Sequence, residues 1–134
     1  MRYLLDTHIV LWYITDADKL SDRIKETIGS WGNSIYYSIV SVWEVAIKHQ
    51  ISTLRMPISD EEFSRYAEGS GMTCLPLEKE HIAALKTLRR DTGAEEHHDP
   101  FDRMLIAQAK TENMTLISHD RLLRGYGENC VLTV

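Results

Sequence analysis

The chain has 134 residues, of which 43% are hydrophobic and 26% are charged, with a formal net charge of −5. This length suits one domain that buries roughly two-thirds of its unfolded surface, and the composition is that of an ordinary globular protein. No segment approaches the roughly 18 consecutive apolar residues of a membrane span, and the run before Asp6 is too short for an export signal. We therefore expect a single soluble domain over residues 1–134, located in the cytoplasm.

The acidic balance argues against a generic nucleic-acid binder. Affinity for a phosphate backbone normally comes from a surplus of lysine and arginine, and here the acids outnumber them by 20 to 15. If several acids converge on divalent cations, however, the local charge inverts and the site attracts phosphate. The positions of the acids therefore decide between these interpretations.

Strand-like and helix-like patterns alternate along the chain. Short apolar runs rich in β-formers predict strands at 2–5, 34–39, 72–77, 115–118 and 130–134. Amphipathic or capped segments predict helices at roughly 8–14, 21–31, 40–51, 59–68, 78–90 and 100–112, with a short one near 120–125. The alternation indicates an α/β fold, with a parallel β-sheet of four to five strands and helices on both faces.

Two acids follow predicted strands. Asp6 ends the first strand, and Asp120 comes two residues after the strand at 115–118. In an open parallel sheet, ligands bind beyond the carboxyl ends of the strands. Each acid alone is equally explained as the N-cap of the next helix, because aspartate is a favoured cap. Together they indicate a site at one edge of the sheet.

A third acid, Glu44, lies in a helical segment that is apolar on nearly every side, residues 40–47. An unpaired carboxylate in such a segment carries a high desolvation cost. A salt bridge to Lys48 at i+4 is the alternative, but such a pair contributes only about 0.2–0.5 kcal/mol on an exposed helix. We favour a cation-ligand role for Glu44.

The segment from Asp99 to Ala109 has a strong helix start, with aspartate at the N-cap and Pro100 at the first helical position. Asp102 falls at the third helical position, where a capping-box exchange with the backbone is its structural alternative. A helix N-terminus also holds a carboxylate in its charged form, which a metal site needs. We therefore expect Asp102 to be a ligand and Asp99 to support it.

Four acids at one sheet edge would repel one another strongly, so they predict bound cations. An all-oxygen set suits Mg²⁺ or Mn²⁺ rather than a soft metal. Such ions polarise a scissile phosphate, lower the pKa of an attacking water and stabilise the leaving oxygen. The sequence thus predicts phosphodiester hydrolysis without a protein nucleophile, with these metal-binding and catalytic residues: Asp6, Glu44, Asp102 and Asp120.

Several stretches carry a family resemblance: LLDTH at 4–8, SIVSVWEVAIK at 38–48, HDPFDRMLIAQA at 98–109 and SHD at 118–120. From end to end the chain resembles a PIN-domain toxin of the VapC family, and the DPFDR segment is the most specific match. The resemblance implies a PIN fold in which the four acids, assisted by Ser118, bind metal and cut single-stranded regions of RNA. It also implies a homodimer and a tight inhibitory complex with a VapB-like antitoxin encoded beside it, as in type II toxin-antitoxin pairs.

Three residues close to the candidate ligands can donate hydrogen bonds and are candidates for contacting the substrate phosphate: His8, Arg103 and Arg121. For the two arginines a solvated salt bridge is an equal alternative. We do not expect the pair His97-His98 to bind the metal, because adjacent residues seldom face the same ion. The three tryptophans lie within helical apolar patterns and are expected to be core or dimer contacts rather than base-stacking surfaces; they are Trp12, Trp31 and Trp43.

Two other functions compete with this one. A haloacid-dehalogenase-like phosphatase also has an aspartate after its first strand, but it needs a second one two residues later, where this chain has His8. A catalytically silent PIN-like binding module is the other alternative, and the presence of all four acids argues against it. The metal dependence of RNA cleavage separates these functions.

Overall fold

A computed structural model describes all residues from 1 to 134. Five strands form one sheet in the order β3-β2-β1-β4-β5, and every pair of neighbours is parallel. The strands are β1 Arg2–Leu5, β2 Ser34–Ser38, β3 Thr73–Leu75, β4 Thr115–Ser118 and β5 Val131–Thr133. This confirms the predicted α/β fold with a parallel sheet, at the upper end of the expected strand number.

Helices cover both faces of the sheet. They are α1 Thr7–Thr15, α2 Asp22–Gly29, α3 Ile39–Ile51, α4 Asp60–Gly69, α5 Lys79–Ala84 and α6 Pro100–Glu112. Successive strand residues point to opposite faces, so Leu4 and Leu5 of β1 belong to two different hydrophobic clusters. No helix has both the length and the apolar character needed to cross a bilayer.

The second helix is shorter than expected. It ends at Gly29 rather than at residue 31, and Trp31 lies in the following turn with its side chain fully exposed. Of the two roles expected for Trp31, a core contact is therefore wrong, and a dimer contact stays a prediction. Trp43 is also 61% exposed, because the buried face of α3 is formed by neighbours one turn apart: Val40, Ser41, Glu44 and Val45.

The helix expected at 78–90 is interrupted. It ends at Ala84, continues as a 3₁₀ turn over Leu85–Thr87 and becomes extended at Leu88. Beyond this point the chain bonds to a second 3₁₀ segment, Arg121–Tyr126: the Asp91 amide donates to the carbonyl oxygen of Gly125 at 2.6 Å. This contact with a distant segment takes the place of a continued helix at Asp91.

The strand order brings the four acids to one edge of the sheet. β1 pairs with β2 on one side and β4 on the other, which makes the carboxyl end of β1 the point where the strand order reverses. Asp6 and Asp120 follow β1 and β4, and Glu44 lies in α3, directly after β2. Since α6 leads back into β4, its first turn, with Asp102, lies at the same edge.

Candidate active site

A cavity of about 530 Å³ opens at this edge of the sheet. All four acids predicted as ligands line it, together with the predicted Asp99, His8 and Arg121. Four further residues contribute to its wall: Thr7, Trp12, Lys48 and His119. The structure thus brings together acids that are up to 114 positions apart in the chain.

Asp6 is buried and held from two sides. Its Oδ1 accepts a hydrogen bond from the Ile9 amide at 3.1 Å as the N-cap of α1, and its Oδ2 accepts from the Ser118 hydroxyl. Burial raises the pKa of Asp6 in spite of these bonds. The Ser118 oxygen also accepts from the Asp120 amide at 3.0 Å, so Ser118 connects two of the acids.

Glu44 is 4% exposed, and both of its oxygens have partners. The Thr7 hydroxyl lies 2.7 Å from Oε1 and 2.8 Å from the Ser41 hydroxyl. Because a carboxylate only accepts, Thr7 donates to Glu44 and accepts from Ser41. The Lys48 ammonium pairs with Oε2. The salt bridge considered as an alternative is therefore present, but Lys48 lines the same cavity, so the charge pair belongs to the site.

The two acids at the start of α6 have different environments. Asp99 Oδ1 accepts from the Phe101 and Asp102 amides at 2.9 and 3.1 Å and caps the helix. The Asp102 carboxylate instead lies next to His97, with 3.3 Å between Oδ2 and Nε2. Burial, followed by the charge of Asp99 and of the other acids in the cavity, raises the pKa of Asp102 to about 8.

His97 lies next to two of the acids, which the sequence did not indicate. It is 7% exposed, and its Nε2 lies 3.3 Å from Asp102 Oδ2 and 3.8 Å from Asp120 Oδ2. The ligand atoms of these three residues lie within 4.8 Å of one another. His98 is exposed and points away from the acids that His97 contacts, so the two adjacent histidines do not share a site. The only sequence signal for this contact was that His97 comes two residues before the helix start at Asp99.

On the opposite edge of the His97 ring, the second nitrogen hydrogen-bonds to a tyrosine. Nδ1 lies 2.7 Å from the Tyr126 hydroxyl, which lies 3.3 Å from Arg103 Nη1. Because arginine only donates, the hydroxyl accepts from Arg103, and its own hydrogen has two acceptors within reach: His97 Nδ1 and, at 3.3 Å, the His97 carbonyl oxygen. Donation to the nearer Nδ1 leaves the ring hydrogen on Nε2, facing the acids. Burial also lowers the pKa of His97, which favours the neutral ring.

Arg103 does not line the cavity. Its guanidinium lies 5.6 Å from the centre of the Tyr126 ring and donates toward that hydroxyl, because its position in α6 directs it behind the site. This corrects the expectation that Arg103 contacts the substrate phosphate. His8 and Arg121, the two other candidates, do line the cavity.

One wall of the cavity is aromatic. Trp12 is half-buried and packs against the hydrophobic cluster beneath α1, while its ring also lines the cavity. The His119 ring meets it edge to face at a centroid distance of 4.8 Å, and the His8 ring lies at 5.9 Å. The expectation that Trp12 contacts the core describes only one side of this ring.

The donor set fits a hard divalent cation. Four carboxylates surround the cavity, and their mutual repulsion contributes to the raised pKa of Asp102. A cation between them would offset that repulsion, and carboxylate oxygens are the ligands that Mg²⁺ and Mn²⁺ prefer. His97 Nε2 is the one histidine nitrogen that groups with these acids, so oxygens dominate the donor set.

Comparison with known proteins agrees with this geometry. The family model of the PIN domain matches residues 3–129. One similar structure is VapBC2 from Rickettsia felis bound to a DNA fragment from its promoter, with 17% identity and a TM-score of 0.69 over 100% of this chain and 98% of that one. Another is VapBC-1 from nontypeable Haemophilus influenzae, with 16% identity and a TM-score of 0.67 over 99% of this chain and 98% of that one. A toxin-antitoxin complex from Klebsiella pneumoniae is also similar, with 17% identity and a TM-score of 0.60 over 98% of this chain and 96% of that one. No curated protein matches the sequence. The match over nearly the whole chain establishes that it belongs to the PIN-domain family.

Proposed function

We propose that this chain is a Mg²⁺- or Mn²⁺-dependent endoribonuclease that hydrolyses phosphodiester bonds in single-stranded RNA. The observation that carries the proposal is that four acids from separate segments of the chain line one cavity, where the pKa of Asp102 is raised to about 8. Such an arrangement is costly for folding unless a cation or a proton offsets it. Membership of the PIN-domain family supports the same chemistry.

The chain's own hydrogen bonds orient the carboxylates before substrate arrives. Ser118 and the Ile9 amide hold Asp6, Thr7 holds Glu44, and His97 faces Asp102. When bound, the metal would polarise the phosphate and acidify the attacking water. Groups held in place in this way need little reorganisation during the reaction.

Positive groups on the cavity wall suit a phosphate that approaches acids. Lys48, His8 and Arg121 all line the cavity. The charges of Lys48 and Arg121 offset the repulsion between carboxylates and the RNA backbone, and the His8 ring can donate a hydrogen bond to a phosphate oxygen. We assign these three residues to substrate binding and the four acids to the metal.

The test is cleavage of a labelled single-stranded RNA by purified protein in Mn²⁺, in Mg²⁺ and in excess EDTA. Cleavage with either metal and none in EDTA is expected, and undiminished cleavage in EDTA contradicts the proposal. Release of phosphate from a small phosphomonoester without RNA cleavage would indicate a phosphatase. RNA binding with no cleavage in any metal would indicate a silent module.

We further propose that the nuclease is the toxin of a type II toxin-antitoxin pair and acts in the cytoplasm, where its RNA substrate and a VapB-like antitoxin are made. The similar structures that carry the VapBC name, and the toxin-antitoxin complex, cover nearly all of this chain. Induced expression in bacteria should arrest growth, and Asp102→Asn should abolish the arrest. Co-expression of the neighbouring reading frame should restore growth. Normal growth with active wild-type enzyme present contradicts the toxin role.

The homodimer remains a proposal, supported by an apolar surface. Three side chains on α3 and the segment after β3 are 39–61% exposed and line one groove: Ile39, Trp43 and Leu77. Light scattering should give twice the chain mass for the wild type and a monomer for Trp43→Glu. The matched control is Trp31→Glu, an isolated exposed tryptophan, which should stay dimeric. A Trp43→Glu protein that keeps the wild-type mass contradicts this surface.

A further inference from the structure

We infer that Trp12, flanked by His8 and His119, is a binding platform for one unpaired nucleobase beside the carboxylates. The inference rests on the proposed function, because it names the part of the RNA that this wall of the cavity would contact. It concerns binding of the base rather than hydrolysis, so the two can fail separately.

The chain joins this aromatic platform directly to two of the acids. Helix α1 begins immediately after Asp6, and His8 and Trp12 are four residues apart, which places them on the same face of that helix. His119 is the residue before Asp120, and its ring meets the Trp12 ring edge to face at 4.8 Å. A base on this platform therefore belongs to a nucleotide whose phosphate lies at or next to the acids.

Trp12 contacts the hydrophobic core on one side and lines the cavity on another. It packs against the core cluster that contains Ile9 and Leu20. It is also the only hydrophobic residue among the eleven that line the cavity. A purely structural tryptophan would not need a surface in a polar cavity. A base stacked on an aromatic ring typically gains about ten- to hundredfold in affinity.

The charges of the cavity favour a base on this wall. An uncharged base meets no Coulombic penalty beside the carboxylates, whereas a phosphate does. The exposed Lys19 side chain places its ammonium over the Trp12 ring, 5.7 Å from the ring centre, so a base that stacks on that face displaces it. The displaced Lys19 and Arg121, which lines the cavity, are then available for the flanking phosphates. In a duplex both faces of every base are already stacked, so the platform selects unpaired RNA.

The first experiment uses the fluorescence of Trp12 itself. Replacing the two other tryptophans, as Trp31→Phe and Trp43→Phe, leaves Trp12 as the only one, and Asp102→Asn prevents cleavage during titration. The probe is a six-nucleotide single-stranded RNA, compared with an abasic oligomer of the same length and charge. The RNA should quench the fluorescence and bind about tenfold or more tightly than the abasic oligomer. Equal affinities, or an unchanged emission, would overturn the inference.

The second experiment measures cleavage with the acids intact. Trp12→Ala should raise KM at least about tenfold for single-stranded RNA, and Trp12→Phe should restore most of the loss. The matched control is Trp31→Ala, because Trp31 is fully exposed and lies outside the cavity, and it should keep the wild-type KM. An unchanged KM in a folded Trp12→Ala protein contradicts the platform but leaves the nuclease proposal intact. RNA that quenches Trp12 and is never cut by the wild type contradicts the nuclease proposal alone.

Discussion

Asp102 should make the stability of the metal-free protein depend on pH. The pKa of its carboxyl is about 8 in the fold, against an ordinary value of 3.8, mainly because the group is buried. Between these values the folded protein keeps a proton that the unfolded chain releases, so the stability from this group is present below pH 4 and is lost as the pH rises to 8. The melting temperature in chelator should fall from pH 5 to pH 8, and less so for Asp102→Asn. Identical slopes for both proteins contradict the shift.

His97 should position the acids through its Nε2 hydrogen. In His97→Gln the side-chain amide can place a donor near the Nε2 position, whereas in His97→Asn it reaches only the Nδ1 position. Loss of such a supporting partner typically costs about 10–100-fold in metal affinity. Calorimetry with Mn²⁺ should therefore show at least tenfold weaker binding for His97→Asn and nearly unchanged binding for His97→Gln. His98→Asn is the control, because His98 is exposed, and equal affinities for all three variants would exclude the role.

The role of a single residue could be predicted from the sequence where its position is unusual for its residue type. Glu44 could be predicted because a carboxylate in an apolar helix is costly, and Asp6 because it ends a strand. The contact of His97 with Tyr126 joins positions 29 apart and leaves no periodic signal. Arg103 was misplaced because adjacency to a ligand in sequence does not fix the side-chain direction in a helix.

Two aspartates at the start of α6 have different expected roles: Asp99 caps the helix and Asp102 binds the metal. Asparagine caps a helix about as well as aspartate, so Asp99→Asn should leave the melting temperature nearly unchanged and keep most of the cleavage. Asp102→Asn should fold normally and lose nearly all Mn²⁺-dependent cleavage, because the metal needs the formal charge. Melting and RNA cleavage of the two purified variants provide the comparison. An inactive Asp99→Asn with an active Asp102→Asn means that cap and ligand are exchanged.

Elements defined by local signals were predicted closely, and those that depend on distant contacts were not. The start of α6 follows from Asp99 and Pro100 alone, and the structure has it there. The helix expected at 78–90 ends at Ala84, and further along the chain Asp91 bonds to the carbonyl of Gly125, a distant contact that no local pattern reveals. The strand order is likewise a matter of long-range pairing, although the alternation of strands and helices was sufficient to predict a parallel sheet.

For the whole molecule, metal binding should stabilise the fold. A ligand at 100 times its Kd adds about 2.7 kcal/mol to the free energy of unfolding if it binds only the folded state. The melting temperature should therefore rise with Mg²⁺ but not with NaCl at equal ionic strength. Asp6→Asn should melt higher than the wild type in chelator, since it relieves repulsion and keeps the cap, and should gain less from Mg²⁺. A chelated Asp6→Asn protein that melts lower argues against mutual repulsion.

The most direct test of the central claim is the position of bound Mn²⁺ in crystals of this protein, located by its anomalous scattering. One or two peaks are expected inside the cavity, within about 2.0–2.4 Å of carboxylate oxygens from the four acids, as hard divalent cations require. Soaked Asp102→Asn crystals should lose or weaken those peaks. A well-occupied Mn²⁺ elsewhere, with nothing between Asp6, Glu44, Asp102 and Asp120, would contradict the account.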